Sequence, residues 1–121
     1  MPVDNRISEE IKLLKDTLSR KFGTKQIILF GSFAYGRPHE DSDIDVCVIA
    51  DFHGKRKIEL VREMRRALAD LISSPLDILV YNEQEFDERA ELSGSLEHKI
   101  LTQGIKIYEQ PRVSAGVVQG G

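Results

Sequence analysis

The sequence predicts an α/β (α+β) fold in which a small mixed sheet of three to four strands is flanked by helices. Three observations carry this. Apolar residues recur at steps of three or four along two long segments, short β-branched runs lie between them, and the order reads helix, strand, strand, helix, strand, helix, helix, strand. Ile7, Ile11, Leu14, Leu18 and Phe22 define an amphipathic helix over 5–22, ended by Gly23. Gln26 to Phe30 follows as a strand, because IILF is a short apolar run closed by Gly31. Asp43 to Ala50 carries Ile44, Val46, Val48 and Ile49 and reads as a central strand. From Lys55 to Ser73, Ile58, Val61, Met64, Leu68, Leu71 and Ile72 describe one helical face, and Pro75 stops it. LDILVY, Leu76 to Tyr81, is a third strand. Asn82 with Glu85 then offers a capping box for a further helix. Leu92, Leu96 and Ile100 mark another helical face, and Ile105 to Tyr108, after Gly104, forms a short fourth strand.

Composition bounds what such a fold does. At 121 residues, 40% apolar and 31% charged, the chain is expected to be one folded domain over 1–109, with 110–121 as a flexible tail. No apolar run approaches a membrane span, and MPVDNRISEE lacks the basic and apolar parts of a secretory signal, so a cytoplasmic protein is expected. The single Cys47 forms no internal disulfide, and His39, His53 and His98 are too scattered for a zinc site. A net charge of −3 gives no global attraction to nucleic acid. The cations Lys55, Arg56, Lys57, Arg62, Arg65 and Arg66 are interspersed with Glu59, Glu63 and Asp70, the pattern of a solvated face.

The informative stretch lies between the first two strands. If the loop from Gly31 to Ser42 turns directly back, these strands are antiparallel, whereas the long helix between the second and third allows a parallel crossover. One sheet edge then carries Gly31-Ser32, Asp43-x-Asp45 and Asp77. Side chains alternate along a strand, so Asp43 and Asp45 face the same way, with α-carbons about 6.5 to 7 Å apart. Asp77, starting a neighbouring strand, can join them. A lone strand-initial aspartate is most often a solvated residue or a loop cap, but three on one edge repel one another. A divalent cation is the simplest remedy, and all-oxygen ligation favours magnesium or manganese over zinc. Glycine admits a ligand close to the backbone, and Ser32 at the start of a helical turn offers its hydroxyl and N–H to a phosphate. Cys47 continues the alternation from Asp45 and reads as a buried small hydrophobe. His39 reads as a solvent-exposed loop residue.

GSFAYGRPHEDSDID, that is Gly-Ser, ten residues, then Asp-x-Asp, resembles the signature of the DNA polymerase β-type nucleotidyltransferase superfamily, specifically its minimal nucleotidyltransferase (MNT) branch. Four fixed positions match by chance on the order of 10⁻³ times per chain of this length. The resemblance runs from the first helix to about Tyr108 and includes LDILVY and ILTQGIKIYE. It implies a nucleotidyltransferase fold, two magnesium ions (manganese being an alternative), and transfer of a nucleoside monophosphate, with ATP as the expected donor, to a hydroxyl. Carried over by position, Asp43 and Asp45 hold the metals, Asp77 completes one metal site and helps deprotonate the acceptor, and Gly31 with Ser32 holds the distal phosphates. One departure stands out: many relatives carry arginine in the loop after Gly-Ser, where this chain has Phe33 and Tyr35, with Arg37 as a substitute.

Short MNT proteins are often encoded beside a HEPN-domain toxin, and some adenylylate it. The resemblance therefore implies an antitoxin acting on a partner protein. The alternatives are a non-catalytic antitoxin that neutralises by binding alone, disfavoured by the complete acidic triad, and a small-molecule nucleotidyltransferase, disfavoured because no second domain for the acceptor is evident.

Overall fold

In the computed structural model, the described residues are 5–36 and 43–111. They form α1 (Asn5–Lys21), β1 (Thr24–Phe30), α2 (Ser32–Tyr35), β2 (Ile44–Ala50), α3 (Lys57–Leu68), β3 (Leu76–Tyr81), α4 (Glu83–Ala90), α5 (Leu96–Gln103) and β4 (Ile105–Glu109). The four strands make one mixed sheet in the order β3-β2-β1-β4. β1 is antiparallel to both β2 and β4, and β2 is parallel to β3 across the α3 crossover, as the loop lengths predict.

Strand alternation divides the interior in two. Ile27 and Leu29, Ile44, Val46 and Val48, and Ile78 and Val80 face a core completed by Leu14 and Leu18 of α1 and by Leu60, Met64 and Leu68 of α3. Ile28, Cys47, Ile49 and Tyr81 face the opposite core, closed by Phe86 and Ala90 of α4 and Ile100 of α5. The buried apolar residues of α1 and α3 are core, and the sheet is covered on both faces. Among the described residues no helix is long and apolar enough to cross a membrane.

Local chemistry fixes the joints. Thr24 Oγ1 donates to the Leu18 carbonyl at 2.8 Å, satisfying a C-terminal acceptor of α1 while turning the chain into β1. Asn82 and Ser95 cap α4 and α5, accepting from the backbone N–H groups of Glu85 (2.8 Å) and His98 (3.0 Å). Glu10, buried on α1, accepts from the N–H and hydroxyl groups of both Ser73 and Ser74, pinning the turn before β3. Burial alone would raise its carboxyl; these bonds outweigh burial and leave it below its usual range.

Three sequence expectations change. The third helix, expected over 55–73, spans Lys57–Leu68, and Ile58 at 56% and Leu71 at 40% exposure fall outside the buried face. The chain leaves the helix where Glu10 captures Ser73 and Ser74. Leu92 and Leu96 do not mark a buried face: Leu92, 67% exposed, lies in the turn between α4 and α5, outside the helix of Ile100, and Leu96, the first residue of α5, is 48% exposed. Only the Asn82 half of the capping box forms, since the Glu85 carboxylate is held by Lys57 at 2.8 Å and Arg89 at 3.4 Å. Arg37, His39 and the tail beyond residue 111 lie outside the described residues.

Candidate active site

β2 and β3 begin side by side. Ile44 donates its N–H to the Pro75 carbonyl at 2.9 Å, and this bond sets a register in which Asp45 lies opposite Asp77, while on the other side Phe30 lies opposite Asp45. The end of β1 and the starts of β2 and β3 therefore meet at one edge. There, one carboxylate oxygen from each of Asp43, Asp45 and Asp77 lies within 4.8 Å of the others. Ile44 and Val46 point into the α1/α3 core, so Asp45 projects on the opposite face, in line with Cys47.

At that separation, each pair of ionised carboxylates repels by about 1 kcal/mol in water and about 3 kcal/mol at an effective dielectric of 20. Asp43 and Asp77 are exposed, which favours the lower figure, whereas Asp45 is half-buried. Burial, then the charges of Asp77 and of Asp43, push the Asp45 carboxyl above its usual value. A set of three carboxylate oxygens with unrelieved repulsion fits magnesium or manganese, which take hard oxygen donors.

Gly31 is held at φ 76°, ψ −155°, a region that side chains rarely enter, and a Cβ placed there would collide with Asp45 Oδ2. The glycine thus gives the Asp45 carboxylate its space. The Gly31 carbonyl accepts from the N–H groups of Ala34 (3.0 Å) and Tyr35 (2.9 Å), winding α2 directly beside the aspartates with Ser32 in its first turn. Phe33 and Ala34 pack against the α1/α3 core. Tyr35 has the Lys99 ammonium of α5 4.8 Å from its ring centroid, and its hydroxyl is buried without a hydrogen-bond partner among the described residues.

Asp43, Asp45 and Asp77 thus gather beside Gly31, with Ser32 following it at the start of α2. Cys47 is fully buried in the α4/α5 core, with burial and then the Glu97 charge pushing its thiol up to about 12, so it behaves as a small hydrophobe. Of the cations in and just before the third helix, Lys55 pairs with Glu63 at 2.6 Å and Lys57 with Glu85 at 2.8 Å. Arg65 reaches the site itself. Its guanidinium lies 3.9 Å from Asp77 Oδ1 and donates to the Leu76 carbonyl at 3.2 Å. Sequence reasoning placed Arg65 among solvated residues, and no local signal marks a contact made across the start of β3. The same holds for Lys99 against Tyr35.

Comparison with known proteins agrees with this geometry. The nucleotidyltransferase domain family matches residues 11–106. A Methanocaldococcus jannaschii protein provisionally named a protein adenylyltransferase is 36% identical over 74 residues, 60% of this chain and 76% of that protein. Another of the same provisional name and organism is 28% identical over 108 residues, covering 89% of this chain and 100% of its own length. The crystal structure of a toxin–antitoxin with AMP-PNP superposes with a TM-score of 0.55 at 26% identity, covering 88% of this chain and 73% of that one. With the family matched over most of its length, its fold shared and three carboxylates gathered beside Gly31-Ser32, this chain belongs to the nucleotidyltransferase domain family and is a nucleotidyltransferase.

Proposed function

We propose that this protein is a magnesium-dependent protein adenylyltransferase that moves AMP from ATP to a hydroxyl on a HEPN-domain toxin and thereby acts as its antitoxin. The observation that carries the reading is the meeting of Asp43, Asp45 and Asp77 within 4.8 Å at the edge bearing Gly31 and Ser32. The names of the relatives support the protein acceptor and the adenylyl group, and the neighbouring toxin–antitoxin with AMP-PNP supports both partner and nucleotide.

In this reading residues 1–109 form the transferase domain. Asp43 and Asp45 would hold the metal that accompanies the triphosphate, and Asp77 would complete the second metal position. Magnesium or manganese bound there would neutralise phosphate charge and acidify the acceptor hydroxyl. Ser32 orients the distal phosphates through its hydroxyl and N–H, and Gly31 lets them approach the backbone. Asp77, more exposed than Asp45, is the carboxylate that would receive the hydroxyl proton. The acceptor oxygen forms a bond to the α-phosphorus as the bond to the bridging oxygen breaks, and pyrophosphate leaves. The chain contributes position more than covalent chemistry.

The test is to incubate the protein with magnesium, labelled ATP and the HEPN protein, following partner mass and partner activity together. An adenylylated, inactive partner is expected. A neutralised partner with no added nucleotide mass would replace this reading with neutralisation by binding alone.

A further inference from the structure

We propose that Lys99 supplies the cation for the distal phosphates of the nucleotide, a role that α2 itself does not fill. The inference rests on the nucleotidyltransferase reading and adds a residue 54 positions beyond Asp45 that no motif marks.

α2 lacks a cationic side chain. Its four residues, Ser-Phe-Ala-Tyr, carry no charge, although a triphosphate brought against Ser32 needs cations beyond those near the α-phosphorus. α2 has two distinct sides. Phe33 and Ala34 are committed to the α1/α3 core. Tyr35 meets Lys99 instead, and Ser32, three residues earlier, lies on the same side of the helical turn. The α4/α5 face of the sheet, in line with Cys47, is also the face from which Asp45 projects. α5 buries Ile100 on that face, and Lys99 beside it is exposed. The ammonium stands 4.8 Å from the centre of the Tyr35 ring. Among the described residues Lys99 takes part in no ion pair, unlike Lys55, Lys57 and Arg65.

A lysine seated on an aromatic face keeps its charge and its N–H donors free while its long stem is held in one region. The Tyr35 ring thus holds a mobile cation on the side of α2 that also carries Ser32. From there it can reach an oxygen of the β- or γ-phosphate, and a lysine serves such an oxygen as a point charge.

The experiment is calorimetric titration of the full chain with ATP and magnesium at two salt concentrations, comparing wild type, Lys99→Gln and Lys99→Arg. Lys99 is exposed, so both variants should fold, and unchanged melting of the nucleotide-free proteins checks this. Loss of a charge-assisted contact weakens ATP binding about ten-fold in Lys99→Gln. Lys99→Arg recovers most of the affinity, and the salt dependence is shallower in Lys99→Gln than in wild type. Wild-type affinity and salt dependence in Lys99→Gln would overturn the proposal while leaving the transferase reading intact. Ten-fold weakening with an unchanged salt dependence would assign Lys99 a structural role and also overturn it. No binding of ATP by the wild type would overturn both readings together.

Discussion

Replacing Gly31 by alanine separates two effects that the site combines. The first is backbone strain. At φ 76°, ψ −155°, a non-glycine residue costs about 1–3 kcal/mol. For a 121-residue chain this lowers the melting temperature by about 4–12 °C. The second effect is local, because the new Cβ would collide with Asp45 Oδ2 and turn the carboxylate away from Asp43 and Asp77. Gly36→Ala is the internal control. Gly36 also has positive φ, 88°, but a Cβ there meets nothing within 4 Å among the described residues, so only the strain cost of about 1 kcal/mol applies. The assay is thermal melting with and without millimolar manganese. Wild type should gain stability from the ion, Gly36→Ala should melt lower but gain as much, and Gly31→Ala should melt lower and gain little. Gly31→Ala melting within about 1 °C of wild type with a full manganese response would refute the claim that glycine makes room for Asp45.

Asp45→Asn should abolish adenylyl transfer without unfolding the chain. Asp77→Asn should spare ATP binding yet slow transfer by roughly 10² to 10⁴, as measured by single-turnover labelling. Wild-type rates in either variant would remove these residues from the chemistry. Glu10 in the folded chain binds its proton less tightly than its usual value of 4.5, so the stability it confers is fully present above that value and is lost as pH falls through the lowered folded value. Glu10→Gln should therefore cost about 1–3 kcal/mol at neutral pH and flatten the acid limb of a urea-stability profile, and an unchanged limb would contradict this. Tyr35→Phe deletes a buried hydroxyl that has no partner among the described residues and keeps the ring under Lys99. Its stability in urea should match or exceed wild type, and a loss above about 1 kcal/mol would show that the hydroxyl has a partner.

The sheet and its acidic edge were legible because their signals are local. IILF and IDVCVI carry strand composition within single segments, and the antiparallel and parallel pairings follow from the lengths of the connections between them. The positions of Gly31, Asp43 and Asp45 follow from one short motif, and Asp77 from the start of the next strand. Helix periodicity was less dependable at its ends. Leu92 has the right spacing to Ile100, yet no helix connects the two, so the spacing has no rotational meaning. Contacts between distant segments left no trace at all. Glu10 reaches Ser73 and Ser74 across more than sixty residues, and Lys99 reaches Tyr35 across 64. The buried Tyr81 hydroxyl donates to the Glu97 carboxylate at 2.5 Å, and in sequence neither residue differs from an ordinary strand tyrosine or surface glutamate.

The burial of Cys47 makes the chain its own reporter of opening. It is the only cysteine in the sequence, sits in the middle of β2 two residues beyond Asp45, and has no exposed surface. A thiol held at about 12 is almost wholly protonated at neutral pH, so an alkylating reagent reacts only with molecules in which this strand has come away from α4 and α5. The labelling rate then counts excursions of the strand that carries the acidic pair. Anything that binds the closed site slows that count, so occupancy can be read from a mass spectrum without following any product.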